Sequence, residues 1–138
     1  MALQLHTFLF ADLVGFAEFT ATHGDDRGAD LAVSFYEHVC ELAAGLGCHV
    51  VKGIGDAVMV RSETGDAAVE LARSILGLAE REGLPPARVG LDTGPAVERN
   101  GDWFGSTVNI ASRVTSAADA SDRSRARRSY PSTANRQV

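Results

Sequence analysis

Residues 48–61 read CHVVKGIGDAVMVR and contain a strong hairpin signal. Two valine-rich apolar runs, Cys48–Ile54 and Ala57–Arg61, flank the dipeptide Gly55-Asp56. A two-residue turn of this kind between apolar runs is typical of two tightly joined antiparallel strands. We therefore predict a β-hairpin here and build the rest of the fold around it.

A helix and a strand are predicted on each side of this hairpin. Leu5–Val14 and Arg88–Thr93 are short and mostly apolar, as buried strands are. Arg27–Leu46 and Asp66–Glu82 carry apolar residues every three or four positions, as amphipathic helices do. The order strand, helix, hairpin, helix, strand is the split β-α-β-β-α-β unit. We expect an α+β fold with this ferredoxin-like, or palm, core.

An arm and a further helix are predicted after the core. The dipeptide Asn100-Gly101 is a turn signal, so Val97–Asp102 is expected to form a short arm. Thr107–Ala117 then has the pattern of a short helix, with Ser106 or Thr107 as its N-cap.

The charge balance changes near the C-terminal end. Asp119–Val138 holds five arginines and two aspartates, whereas the preceding residues carry twice as many acidic as basic side chains. Apolar periodicity also stops at Ala118. One domain is therefore predicted at 1–118 and a basic, disordered tail at 119–138.

Bulk composition narrows the classes of function. A length of 138 residues, 45% of them hydrophobic, suits one compact domain. The net charge of −5 gives no reason to expect nucleic acid as a partner. No apolar stretch approaches the roughly 20 residues of a membrane span, and no N-terminal signal is evident. The two cysteines follow no paired spacing, so reduced thiols and a cytoplasmic location are expected.

Two aspartates are predicted to share one edge of the sheet. Asp12 ends the first strand, and Asp56 lies at the hairpin tip. In a β-α-β-β-α-β sheet the first strand lies beside a hairpin strand, so the two carboxylates can meet. Carboxylates hold hard divalent cations, and paired cations can activate an attacking oxygen and stabilise a leaving one. From the residues alone, a turn role for Asp56 and a helix N-cap role for Asp12 remain open.

The loop after the first strand has features of an anion site. It consists of Leu13, Val14, Gly15 and Phe16. Glycine lets the backbone approach a ligand closely, and free amides at a helix start favour phosphate. Many strand-to-helix turns contain one glycine, so an ordinary turn is the alternative.

Four polar residues further along are candidates for recognising a substrate. Lys52 is the only lysine among 13 basic residues, and Asp102 can accept a hydrogen bond from an exocyclic amine such as adenine N6. Asn109 and Arg113 share one face of the predicted helix, where arginine could stabilise charge on a transferring phosphoryl group. An ordinary strand lysine, a turn aspartate and a solvated polar helix face are the alternatives.

Three segments together resemble the class III nucleotidyl cyclases, and the adenylyl type in particular. They are FADLVGF at 10–16, KGIGDA at 52–57 and DWFGSTVNIASR at 102–113. Each is modest alone, but they occur in the family's order and at family-like spacing. The resemblance extends from about Leu5 to Ala117.

The resemblance implies metal ions and a substrate. Asp12 and Asp56 would bind two Mg²⁺ or Mn²⁺ ions. Lys52 and Asp102 would select adenine through its N1 and N6 positions. Guanylyl types generally carry Glu and Cys at those two positions, so ATP is the implied substrate.

The same resemblance implies a reaction and an assembly. Asn109 would position the ribose, and Arg113 would stabilise the pentavalent phosphorus as the ribose 3′-oxygen attacks the α-phosphorus and pyrophosphate leaves. In the family, one subunit supplies the metal aspartates and the other supplies the selector and transition-state residues. The implied protein is an adenylyl cyclase that works as a homodimer with two equivalent sites and forms cyclic AMP.

The chain departs from the family pattern after the Asn/Arg helix. Family domains usually continue through further strands and often carry a late lysine, whereas Asp119–Val138 has neither a strand pattern nor a lysine. We expect the family's last strands to be missing and one sheet edge to be uncovered. The alternative function is therefore a non-catalytic nucleotide-binding or dimerisation module.

Overall fold

The structure is a computed structural model that describes residues 4–118 and the backbone of residues 135–137. Its strands are β1 His6–Leu13, β2 His49–Ile54, β3 Ala57–Ser62, β4 Ala87–Gly94, β5 Val97–Arg99, β6 Asp102–Phe104 and β7 Asn135–Gln137. Its helices are α1 Phe16–His23, α2 Asp25–Gly45, α3 Gly65–Leu76, α4 Leu78–Glu82 and α5 Ser106–Ala117. Each predicted element of the core is present, except that one helix is divided in two.

Strand β1 lies inside a five-stranded sheet, whose order among the described residues is β2-β3-β1-β4-β7. All neighbouring strands are antiparallel. Phe10 of β1 pairs with Met59 of β3 on one side and with Gly90 of β4 on the other. This order confirms the β-α-β-β-α-β core and places the first strand beside a hairpin strand, as predicted.

Apolar layers cover both faces of the sheet. The larger core lies under helices α2 and α3, and its largest buried side chains are Leu9, Leu13, Phe35, Val39, Val58, Val60, Leu71, Ile75, Val89 and Leu91. The smaller core lies under α5, and its buried members are Phe8, Phe10, Met59, Val108 and Ala111. Because both faces of β1 are covered, the strand is apolar almost throughout, which is the pattern that predicted it.

Helix α5 lies close against β4, and two glycines make this approach possible. A Cβ atom on Gly90 would collide with the backbone of Thr115, and one on Gly94 would collide with the side chain of Thr107. The Thr115 hydroxyl lies within hydrogen-bond distance of the Phe10 carbonyl oxygen on β1, at 3.2 Å, as well as of the Ala111 carbonyl oxygen one turn earlier in α5, at 2.8 Å. The backbone of α5 is thereby held at a short distance from the sheet.

The predicted helix at 66–82 is wrong in one respect, because it breaks at Gly77. Helix α3 ends at Leu76, and the short helix α4 begins at Leu78. The guanidinium of Arg81 crosses Gly77 and donates from Nη2 to the Ser74 carbonyl oxygen at 2.6 Å. The Ser74 carbonyl oxygen is thus bonded to the Arg81 side chain. Glycine has a low helix propensity, so a break at Gly77 costs little free energy.

The predicted N-cap of α5 is also wrong. Gly105, at φ 139°, precedes the first helical residue Ser106, and no side chain caps the helix. Thr107 instead donates its hydroxyl to the Pro95 carbonyl oxygen at 2.9 Å. The hydroxyl that was expected to cap the helix therefore joins it to the end of β4.

Part of the segment expected to be a disordered tail forms a strand. Residues 135–137 are β7, which pairs with β4 from Gly90↔Gln137 to Asp92↔Asn135. The prediction of disorder is wrong for these three residues, and the other residues of 119–138 lie outside the described part of the chain. An open sheet edge offers unpaired amides and carbonyls, and β7 covers that edge of β4 over three positions.

Cys40 and Cys48 are both free thiols in the described residues, Cys48 being buried. Across the same residues, no helix combines the length and the apolar character needed to cross a bilayer.

Candidate active site

Asp12 and Asp56 line the same cavity, at the edge of the sheet where β1 ends. Asp56 lies in the turn between β2 and β3, and its Oδ2 accepts a hydrogen bond from the backbone N–H of Leu13 at 3.0 Å. The cavity has a volume of about 350 Å³ and is also lined by residues 13–18 and by Arg88. The antiparallel pairing of β1 with β3 produces this proximity, because it brings the hairpin tip to the end of β1.

Arg88 neutralises Asp12 across the β1–β4 pair. The two residues are partners in the strand register, and Arg88 donates from Nε to Oδ1 at 3.0 Å and from Nη2 to Oδ2 at 3.2 Å. Burial raises the pKa of Asp12, the Arg88 hydrogen bond and charge oppose that rise, and the negative charge of Asp56 adds to it. The two aspartates therefore interact electrostatically.

The donor set of this cavity fits a hard divalent cation. Asp12 and Asp56 offer carboxylate oxygens, and the cavity contains neither histidine nor cysteine. Within the described residues, no group of three or more His, Cys, Asp or Glu side chains is arranged to hold a metal ion. Magnesium is commonly held by one or two carboxylates together with substrate phosphates and water, so a pair of carboxylates is sufficient.

The predicted anion loop lines the same cavity, but part of its backbone is already engaged. The Leu13 amide donates to Asp56, and the Val14 amide donates to the Pro86 carbonyl oxygen at 2.8 Å. Gly15 adopts φ 74° directly before α1, and no side chain caps that helix. The backbone amides of this loop that are left to bind an anion are therefore those of Gly15 and Phe16, at the start of α1.

Lys52 and Asp102 meet in a second place. Lys52 on β2 donates from Nζ to Oδ2 of Asp102 on β6 at 2.7 Å. The other carboxylate oxygen of Asp102 accepts the backbone N–H of Trp103 at 2.8 Å. These two hydrogen bonds, that of Lys52 first, lower the pKa of Asp102. An ammonium donor and a carboxylate acceptor are thus presented side by side.

Asn109 and Arg113 occupy the outer face of α5. Both side chains are exposed, whereas Val108, Ala111 and Thr115 are buried toward the sheet. The spacing of four residues places them on one face, as predicted.

The six candidate residues do not form a single site within one chain. The cavity that contains the aspartate pair is lined by none of the other four, which are Lys52, Asp102, Asn109 and Arg113. The candidates therefore fall into separate groups. Asp12 and Asp56 line the cavity, Lys52 on β2 contacts Asp102 on β6, and Asn109 and Arg113 lie on α5.

Arg88 lines the carboxylate cavity but was not among the residues predicted from the sequence. A signal was available, because this charged residue directly precedes the apolar residues Val89, Gly90 and Leu91 of the predicted strand. A charge in such a position needs a partner. Only the antiparallel register of β1 and β4 identifies that partner as Asp12.

Comparison with known proteins assigns the family. Residues 3–123 match the model of the adenylate and guanylate cyclase catalytic domain. The adenylate cyclase of Streptomyces griseus is 39% identical over 110 residues, and that of Streptomyces coelicolor is 38% identical over 110 residues. These alignments cover 79% of this chain but only 28% and 29% of the two relatives. The chain thus spans less than a third of the length of the curated relatives it matches.

A solved structure agrees at the level of the fold. The adenylyl cyclase CyaB from P. aeruginosa superposes with a TM-score of 0.71 at 23% identity, over 86% of this chain and 74% of that one. The match to the family model covers most of the chain and includes all six candidate residues. The chain therefore belongs to the adenylate and guanylate cyclase catalytic-domain family.

Proposed function

We propose that this chain is an adenylyl cyclase domain that converts ATP into 3′,5′-cyclic AMP and pyrophosphate in the cytoplasm. The observation that carries the proposal is the shared cavity of Asp12 and Asp56, one at the end of β1 and the other at the hairpin tip. The adenylate cyclase relatives support the same activity.

The carboxylate cavity would hold the reacting end of the nucleotide. Asp12 and Asp56 would bind two Mg²⁺ or Mn²⁺ ions, whose charge favours ionisation of the ribose 3′-hydroxyl and neutralises the triphosphate. Arg88 lines the same cavity, and its fork matches phosphate oxygens as well as it matches a carboxylate. The 3′-oxygen attacks the α-phosphorus in line, so this part of the chain contributes mainly position and charge.

The Lys52–Asp102 pair would select adenine. Adenine presents an acceptor at N1 and a donor amine at N6, which complement an ammonium donor and a carboxylate acceptor. Guanine presents a donor at N1 and an acceptor at O6, so each contact would be mismatched. The close Lys52–Asp102 hydrogen bond supports this assignment, because it keeps the ammonium donor and the carboxylate acceptor next to each other.

The complete site would be assembled from two copies of the chain. The exposed Asn109 and Arg113 lie outside the carboxylate cavity, so a partner's α5 would supply the residues that position the ribose and stabilise the phosphorus. The arm offers an apolar contact for this assembly, because Val97 and Phe104 pair across β5 and β6 and are 49% and 53% exposed. A two-fold axis would then create two equivalent sites.

Activity is tested first on the purified chain with Mn²⁺ and ATP. We expect cyclic AMP to form, and Asp56→Asn to abolish it while keeping an acceptor for the Leu13 amide. Product at or below the level of the Asp56→Asn control would overturn the proposal.

A complementation experiment tests the shared sites. Asp56→Asn and Arg113→Ala are each expected to be inactive, but a heterodimer of the two contains one intact site. Random association of the co-expressed variants should therefore restore about a quarter of the wild-type activity. No recovery, with an active wild type, would reject the shared site and leave the cyclase assignment intact.

A second candidate, a nucleotide-binding module without turnover, is favoured by one observation. Arg88 donates to both oxygens of Asp12, which is a carboxylate needed for metal. Calorimetry with ATP and Mn²⁺, together with the assay for cyclic AMP, separates the two candidates. The module would bind the nucleotide but form no cyclic AMP.

A further inference from the structure

Apart from its backbone connections to β4 and α5, the arm is held against the domain by side-chain contacts. Strands β5 and β6 form a separate two-stranded sheet, which among the described residues shares no strand ladder with the five-stranded sheet. The arm nevertheless carries Asp102 at the start of β6. Its side-chain contacts therefore decide where the Asp102 carboxylate lies.

Trp103 supplies the central contact between the arm and the sheet. Its ring centroid lies 4.5 Å from that of His6 and 5.7 Å from that of Phe8, both on β1. The guanidinium carbon of Arg61, on β3, lies 5.0 Å from the same ring centroid. Tilted aromatic pairs and a cation over an indole ring are each stabilising, and here they act on one side chain.

A hydrogen bond fixes the Arg61 side chain in this position. Arg61 donates from Nη1 to Nδ1 of His6 at 3.0 Å. Arginine has no acceptor, so Nδ1 of His6 must accept, and the imidazole must be neutral with its proton on Nε2. Burial, followed by the positive charge of Arg61, lowers the pKa of His6, which keeps it in that neutral form.

Trp103 is linked directly to Asp102. Its backbone N–H donates to Oδ1 of Asp102 at 2.8 Å, and Lys52 holds Oδ2 at 2.7 Å. A displacement of Trp103 would move the donor of the first bond and turn the carboxylate relative to Lys52.

We propose that His6, Arg61 and Trp103 form a clamp that positions Asp102 for recognition of the substrate's 6-amino group. The clamp rests on the proposed adenylyl cyclase function. Trp103 is a positioning residue, since it acts through Asp102 and does not itself touch the base.

The test compares ATP with the analogue that lacks only the 6-amino group. The wild type should prefer ATP in kcat/KM by about tenfold or more, because the analogue has no amino group to donate a hydrogen bond to the charged Asp102 carboxylate. Trp103→Leu should reduce that preference to about threefold or less. Trp103→Phe, which keeps a ring beside His6 and Arg61, should retain most of it.

Two further variants keep the test sharp. Phe19→Leu is the matched control, because it removes another ring that stacks on a histidine, His23 of α1, outside the arm, and it should leave the preference for ATP unchanged. Arg61→Met removes the cation and its hydrogen bond to His6 but keeps Trp103, so it serves if Trp103→Leu does not fold. Like Trp103→Leu, it should reduce the preference for ATP over the analogue.

Intrinsic fluorescence gives a readout that needs no catalysis. Trp103 is the only tryptophan in the chain, so the emission reports on the clamp alone. Arg61→Met should shift the emission to longer wavelength and increase quenching by acrylamide, whereas Asp102→Asn, which leaves His6 and Arg61 beside the ring, should change neither. Unchanged emission in Arg61→Met would overturn the proposal, whether or not the chain makes cyclic AMP.

The kinetic outcomes separate this proposal from the cyclase assignment. If the wild type is active but Trp103→Leu lowers kcat/KM equally for ATP and the analogue, the clamp is rejected and the activity stands. If the wild type is inactive, the activity is rejected and the fluorescence measurement alone decides the clamp.

Discussion

Arg88 donates to both carboxylate oxygens of Asp12, through Nε at 3.0 Å and Nη2 at 3.2 Å. The two side chains lie opposite each other in the β1–β4 register and are 31% and 20% exposed. In the proposed function Asp12 binds a divalent cation. The guanidinium and the cation therefore compete for the same oxygens.

Replacing Arg88 should strengthen metal binding in the absence of nucleotide. In Arg88→Ala both oxygens of Asp12 become available, and a positive charge leaves the cavity. The affinity for Mn²⁺ should rise by about threefold, a modest gain because the ion pair is partly exposed to solvent. Calorimetric titration of the nucleotide-free protein measures it, with Arg73→Ala on α3 as the control. Equal or weaker binding would show that Arg88 does not compete with the metal.

The Lys52–Asp102 pair should determine which base is accepted. Lys52→Glu with Asp102→Cys removes the ammonium and the carboxylate that complement adenine, and it supplies an acceptor for the N1 proton of guanine. We expect kcat/KM to fall for ATP and to rise for GTP, as measured with both nucleotides under the same conditions. A preference for ATP that survives the double substitution would remove both residues from base recognition.

The close approach of α5 to β4 should make Gly90→Ala destabilising. The added methyl group would meet the backbone of Thr115, which cannot move without shifting the helix. The free energy of unfolding in urea should fall by about 1–3 kcal/mol. Gly45→Ala is the matched control, because it lies in helix α2 with no neighbouring atom near the new methyl group, and it should be neutral or slightly stabilising. Equal effects of the two substitutions would contradict this packing argument.

Two histidines should give the stability opposite dependences on pH. The pKa of His6 is lowered below its ordinary value of 6.5, chiefly by burial, so the folded state binds a proton less readily than the unfolded chain. The contribution of His6 is present above about pH 6.5 and is lost as the pH falls through its folded pKa. In His6→Asn the loss of stability on acidification should be smaller, as measured by urea unfolding at several pH values.

The pKa of His38 is raised, first by its hydrogen bond to the Ser34 carbonyl oxygen, with a further contribution from Glu82. Its contribution is complete below about pH 6.5 and is lost as the pH rises through the folded pKa. His38→Asn should therefore flatten the profile on the alkaline side only. The same change in slope for both histidine variants would contradict these assignments.

Most of the core was predictable because its signals are local. The apolar runs at Cys48–Ile54 and Ala57–Arg61 with their two-residue turn, and the heptad-like spacing in α2, are properties of neighbouring residues. The order of these elements then leaves few ways to form a sheet, which is why the meeting of Asp12 with Asp56 could be predicted.

The errors share a different cause, because each depends on a hydrogen bond or strand pairing that apolar periodicity does not encode. The helix broke at Gly77 because the Arg81 side chain takes the Ser74 carbonyl oxygen. The segment 135–137 became a strand because β4 offered an edge to it. The expected cap of α5 failed because the Thr107 hydroxyl bonds to Pro95.

The sequence by itself determined the strands and helices of the core, their order and the identity of the six candidate residues, since periodicity and motif spacing are properties of the chain itself. Only the tertiary structure showed that Arg88 forms an ion pair with Asp12 and that Trp103 connects Asp102 to the sheet. The division of the candidate residues into separate groups also became visible only there. The physical reason is that strand register and side-chain contacts across the sheet are set by packing over the whole domain, and a one-residue change in register would turn each of these side chains to the opposite face.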